Sequence, residues 1–254
     1  LCYEVAKTQP TLTVNSRDLV AGLPQDAELI ISTGSIKIEE NAKLKIWTSR
    51  GLMLKLDSSE KNLGSELELS LPPCEPFNTL NLKLKVFADL PPKKDTLSME
   101  HKLNIQTPWN SEDIISLHFG PPLMSSMHLH TAKERKFIQI IVAGLTSQLL
   151  QLNEPELVTS SSVDVAFKSL NPVAGQKLVI GNNVKVSFMW EMELGKEERS
   201  GASIKFDFRV KYWPVEADEE VEGEEDDPLQ SRKLQRTEER VYTYRCNFDT
   251  VDYV

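Results

Sequence analysis

Residues 216–228, EADEEVEGEEDDP, carry nine carboxylates and no basic side chain. So many oxygen ligands could in principle hold a hard cation or receive a basic partner. A calcium loop, however, fixes its acids at set offsets around a turn glycine and closes on a bidentate glutamate. Here acids fill nearly every position, so nothing fixes a coordination geometry. Charge runs of this kind repel themselves and stay extended in water. The basic SRKLQR at 231–236 can neutralise part of the run in cis. The expectation is therefore a solvated acidic loop at 216–228 between two strands, 203–213 and 240–248, since long surface insertions add little closure entropy.

His128 and His130 form an HxH pair whose side chains share one strand face. Zinc needs at least one further ligand beside such a pair, and neither His101 nor His118 has a spacing that supplies it. No GxSxG elbow nominates a nucleophile, and the serines gather in SSS at 160–162, a loop composition. The 11 glycines are scattered singly rather than grouped into a phosphate-binding loop. Catalytic residues, cofactor ligands and metal ligands are all expected to be absent, and the chain is not expected to be an enzyme.

Charge and cysteine usage narrow the class further. Without the acidic stretch, the 38 Asp+Glu fall to 29, equal to the 29 Lys+Arg, so the net charge of −9 is local. A balanced body argues against a nucleic-acid partner, which a basic surplus would signal. Cys2, Cys74 and Cys246 stand alone, without a CxxC pair. They read as reduced thiols of a cytosolic protein. The longest apolar run, FIQIIVAGL at 137–145, is too short to span a bilayer. The opening LCYEVAK has no Met and no signal-like segment, which suggests a piece of a longer protein.

The elements that must position these residues read as strands. SIKFDFRVKYW sets Ile204, Phe206, Phe208, Val210 and Tyr212 against Lys205, Asp207, Arg209 and Lys211. LNLKLKVF, SELELSLP and VKVSFMWEMEL alternate in the same way. Period two with one wet face belongs to antiparallel sheets. Turn signals (SRG at 49–51, KNLG at 61–64, PPCEP at 72–76, IGNN at 180–183) separate the runs. Only 228–240 suggests a short helix. The pattern implies an all-β chain of antiparallel β-sandwiches. Pro108 in IQTPWNSED marks the expected boundary. Residues 1–9 would then end a preceding module or linker, 10–108 form a first sandwich, and 109–254 a second.

Tryptophan register adds a candidate surface. Trp190 falls in step with the apolar residues of its strand and belongs to a core. Trp47 shares its face with Lys43 and Lys45, and Trp213 follows Asp207, Arg209 and Lys211. Large aromatics on polar faces can anchor partners. They can equally cover the rim of a sandwich, and the sequence leaves both readings of Trp47 and Trp213 open.

Several stretches carry a resemblance: YEVAKTQPTLTV, LVAGLPQDAELIISTGSIKIEENAKL, HKLNIQTPW, RKFIQIIVAGLTSQLLQL and NNVKVSFMWEMEL. In order and spacing they resemble the carboxy-terminal region of the subunit-ten family of the transport protein particle (TRAPP) complexes. None is a catalytic motif, and the acidic stretch looks like a lineage insertion. The resemblance implies two tandem immunoglobulin-like β-sandwiches in a non-catalytic scaffold segment of a TRAPP II-type vesicle-tethering complex. It also implies other TRAPP subunits as partners and a Rab GTPase served indirectly through the complex, which acts as its nucleotide exchange factor. Membrane contact would be peripheral at most, at a cytoplasmic, Golgi-associated site. A free-standing sandwich adaptor that binds cargo or coat peptides by strand addition is the other reading.

Overall fold

The computed structural model describes residues 8–16, 18–59, 62–91, 96–160, 165–171, 178–194, 203–215 and 241–251. They form sixteen strands, all paired antiparallel, and no helix. The chain divides into two compact units, Leu1–Pro122 and Leu123–Val254. The acidic stretch and the helix expected at 228–240 lie outside the described residues, as do Cys2 and residues 1–7.

In the first unit, β1 (Thr11–Asn15), β2 (Gln25–Ser32), β6 (Thr79–Ala88) and β4 (Leu52–Leu56) make one sheet in the order β1-β2-β6-β4. A second sheet, β5-β3-β7-β8, uses Glu66–Ser70, Lys43–Thr48, Met99–Gln106 and Glu112–Phe119. Alternation in the sequence becomes alternation in burial. Leu29, Ile31, Leu84 and Val86 of one sheet, and Leu44, Ile46, Leu103 and Ile105 of the other, join a single buried cluster. Each such side chain contributes about 1.5–3 kcal/mol by leaving water, which holds the two inner faces together.

The first unit ends later than Pro108. Thr107 is buried, its N–H donates to the Ser111 carbonyl at 2.9 Å, and its hydroxyl accepts from the Ser111 N–H at 3.0 Å. Asn110 takes a φ of 62°, and its N–H bonds the Thr107 carbonyl at 3.2 Å. Pro108 thus sits at the corner of a tight β7–β8 turn, where its fixed φ is favourable and no N–H is required. β8 then pairs with β7 from Gln106↔Glu112 to Met99↔Phe119, and Leu117 and Phe119 enter the first core. The expected division at 108/109 is corrected to 122/123, because this proline makes a hairpin instead of ending a domain.

The second unit repeats the plan. One sheet has the order β12-β14-β10-β9, from Val165–Ser169, Lys185–Leu194, Arg135–Gly144 and Leu123–Ala132. The other has the order β13-β11-β15-β16, from Leu178–Ile180, Leu150–Thr159, Ser203–Pro214 and Tyr242–Val251. The five residues expected inside on β15, from Ile204 to Tyr212, are all buried. Phe208 joins the sheets by meeting Phe188 and Trp190 of β14, each with ring centroids 6.0 Å away. Such aromatic pairs add about 0.5–1.5 kcal/mol beyond their buried area. Gly144, at the end of β10, has no room for a side chain: a Cβ there would lie 2.1 Å from the Gly181 carbonyl oxygen.

Candidate interaction surface

Trp47 lies on β3 with Glu66 of β5 on one side and Asn104 of β7 on the other. It faces outward, as its parity requires, and is half-buried. Asn104 in turn pairs with Ile114 of β8, which is 66% exposed. The row therefore reads Glu66, Trp47, Asn104, Ile114, with two large apolar groups on an otherwise polar face. Beside it, Lys43 bonds Glu68 at 2.7 Å and Lys45 approaches the same carboxylate at 3.7 Å. Ion pairs this exposed contribute little stability, but they hold the face polar around the tryptophan.

Trp213 occupies the equivalent kind of position on β15. It pairs with Gln151 of β11, which pairs with Val179 of β13. On the other side Tyr212↔Tyr242 closes the β15/β16 ladder, and Val241 immediately precedes β16. Trp213 is half-buried, while Val179 and Val241 are 42% and 50% exposed. The adjoining row is polar: Lys211 forms an ion pair with Glu154. Glu154 reaches it from the bulge in β11, where its own φ is 50° and the register shifts between Asn153 and Glu156. Trp190, by contrast, is 2% exposed and packs against Phe188 and Phe208. Trp190 is thus a core residue, while Trp47 and Trp213 are half-buried.

Ile114, Val179 and Val241 were not anticipated. In EDIISLHF two isoleucines are adjacent, and only the strand pairing decides that Ile114 faces out and Ile115 partly in. Val241 precedes its strand and Val179 sits in a strand of three residues, too short for alternation to be read. Trp109 was also passed over: it lies partly buried on the first core, beside Pro108 and Ile38 at a small depression of about 130 Å³.

The histidines separate into two environments. His128 and His130 lie exposed on β9, and the His130 Nε2 is 2.8 Å from Gln139 Oε1. Gln139 passes the chain on by donating to Ser187 Oγ at 2.7 Å, so this HxH pair ends in a polar ladder across β9, β10 and β14. Among the described residues no group of three or more His, Cys, Asp or Glu is placed to hold a metal ion. His101 is different. It is 9% exposed, meets Phe119 edge-on at 5.6 Å, and its Nδ1 lies 3.2 Å from Ser49 Oγ. Its Nε2 is buried without a partner. Burial pushes His101 below the ordinary histidine range, opposed by the negative charge of Asp89. Ser49 also receives the Lys102 N–H at 3.0 Å, so its hydroxyl is engaged in joining the β3–β4 turn to β7.

One ion pair joins an exposed cation to a buried carboxylate. Arg135 grips Glu191 bidentately, with Nε to Oε1 at 2.5 Å and Nη2 to Oε2 at 2.7 Å. The guanidinium hydrogen bonds hold the Glu191 carboxyl below its ordinary range. Tyr244, buried beside β9, is pushed up to about 12 by burial, while its hydroxyl shares a 3.1 Å hydrogen bond with Ser125 Oγ. Cys74 and Cys246 are buried. These groups knit strands together, whereas Trp47 and Trp213 lie half-buried on outward rows.

Comparison with known proteins matches both units to one family. Residues 7–121 match a family model described as "TRAPPC10-like, immunoglobulin-like", and residues 124–225 match "TRAPPC10, third Ig-like domain". The chain is 25% identical over 263 residues to Trafficking protein particle complex subunit 10 of Drosophila melanogaster, covering 99% of the chain and 21% of that protein. It is 23% identical over 252 residues to the Homo sapiens protein of the same name, covering 80% of the chain and 20% of that protein. The chain thus spans about a fifth of these relatives. A Salmonella alpha-2-macroglobulin structure aligns with a TM-score of 0.38 at 9% identity, over 94% of this chain and 16% of that one. A red sea bream transglutaminase aligns at 0.31 and 10%, over 82% and 29%.

Proposed function

Because the chain belongs to the TRAPPC10 family, as two of its immunoglobulin-like modules in succession, we propose that it is a non-catalytic scaffold segment of a TRAPP II-type vesicle-tethering complex. In this reading the complex acts as a nucleotide exchange factor for Rab GTPases in Golgi trafficking. The segment contributes rigid sheet faces that position neighbouring subunits, and it meets the Rab only through them. Its partners are other TRAPP subunits rather than nucleic acid, and its location is cytoplasmic, peripheral to the Golgi.

The observation that carries this reading is the pair of half-buried tryptophans, Trp47 and Trp213, each in an outward row with exposed aliphatics. Aromatic anchors ringed by polar groups are the usual centre of a protein–protein contact. A rigid antiparallel sheet beneath each one holds it without further ordering cost. Purification of the full-length parent, with its companions identified and quantified, tests the proposal. A scaffold segment travels with a large stoichiometric assembly; a parent that elutes alone, or with cargo peptides only, contradicts it.

A further inference from the structure

On the outer face of the second unit two arginines stand side by side. Arg209 of β15 pairs directly with Arg245 of β16, and like charges directly opposite each other destabilise a sheet. Among the described residues Arg245 makes no ion pair, and Arg209 makes one, a 3.5 Å contact from Nη2 to Asp207 Oδ2. Arg209 Nε is buried without a hydrogen-bond partner. Arg135 shows the contrasting case in the same unit, since its guanidinium closes bidentately on Glu191.

The neighbouring side chains leave the pair uncompensated. Glu156 lies opposite Arg209 on β11 but forms no ion pair with it. Its charge adds instead to that of Glu154, which bonds Lys211. On β16 the outward neighbours of Arg245 are Thr243 and Asn247, both exposed and uncharged, and β16 is the last strand of its sheet. Trp213 shares the outer face of β15 with Arg209, four residues along. That spacing is about 13 Å at the ordinary strand rise.

We propose that Arg209 and Arg245 form an anion-binding site for an extended acidic segment of a partner protein, an inference that rests on the scaffold reading. One carboxylate of that segment bridges the two guanidinium groups. It relieves their repulsion and gains charge-assisted hydrogen bonds from both. A residue four positions along the same extended segment brings an apolar side chain onto Trp213. A nucleic acid or an anionic membrane, negative over a wide area, would also meet Glu154, Glu156 and Asp207. A peptide can place its acid on the arginine pair alone. The chain's own acidic stretch at 216–228 already has the basic SRKLQR at 231–236 beside it in sequence.

The test is charge reversal in the full-length parent, read on its purified complex. Arg245→Glu sets an acid opposite Arg209, so the melting temperature should stay level or rise. Retention of companion subunits should nevertheless fall by roughly tenfold or more. Unchanged retention overturns the proposal and leaves the scaffold reading intact. A wild-type parent that fails to co-purify with other subunits overturns both. A melting temperature that falls on deleting 216–228 from the wild type, but not from Arg245→Glu, assigns the pair to the chain's own acidic stretch and rejects the partner. Flotation of the chain with phosphatidylserine-containing vesicles, abolished by Arg245→Glu, rejects the partner in favour of a membrane. Should Arg245→Glu fail to fold, Arg245→Gln removes the repulsion without adding a charge and must show the same loss of companions.

Discussion

Trp47 and Ile114 share one row of an outer sheet face, both opposite Asn104 of β7. A half-buried aromatic and an exposed aliphatic thus lie on either side of an amide. Trp47→Ala is expected to weaken assembly by at least ~2 kcal/mol, the scale of a hot spot. Ile114→Lys should change thermal stability by less than about 0.5 kcal/mol yet reduce complex retention. Melting curves and quantitative pull-down of both variants check this; retention equal to wild type in both removes the patch from the account.

The second unit offers an internal comparison. Trp190 is 2% exposed among Phe188 and Phe208, so Trp190→Ala should cost about 3–5 kcal/mol of stability. Trp213→Ala should leave the melting temperature nearly unchanged and weaken assembly by about 2 kcal/mol or more. A destabilised Trp213→Ala protein that still assembles normally would make that residue rim packing.

The boundary correction has its own test. A fragment of residues 8–122 keeps β8 and the buried Leu117 and Phe119, and should unfold cooperatively. A fragment of residues 8–108 lacks the strand that pairs with β7 along its whole length, and should show no cooperative transition by circular dichroism. Two equally cooperative fragments would contradict the assignment of β8 to the first core.

These outcomes reflect what a linear pattern can carry. The inside of β15 was readable because alternation is local: every second residue from Ile204 to Tyr212 is apolar, and all five are buried. Pro108 was misread because a proline that ends a strand and one that turns a hairpin look alike until Thr107 and Ser111 are seen bonded across it. Parity gave Trp47 and Trp213 their outward direction. It could not give their neighbours, because Ile114 and Val179 reach those rows only through strand pairing.

His101 predicts a pH dependence of the first unit. Its folded-state pKa is lowered from 6.5 by burial, and its Nε2 has no partner. The neutral ring is therefore favoured in the fold, and the unfolded chain binds the proton more readily. Stability from this group is complete above about pH 6.5 and is lost as the pH falls below it. His101→Phe, which can keep the edge contact with Phe119, should flatten the melting-temperature profile between pH 7 and 5. An unchanged slope in that variant would place the dependence elsewhere.

The central claim is that these two sandwiches hold an assembly together. The most direct measurement deletes residues 8–251 from the full-length parent and follows the size and subunit composition of its complex by gradient sedimentation and quantitative mass spectrometry. The account predicts that the parent remains soluble while the complex becomes smaller and loses at least one companion subunit in stoichiometric amount. A complex of unchanged size and composition would contradict it.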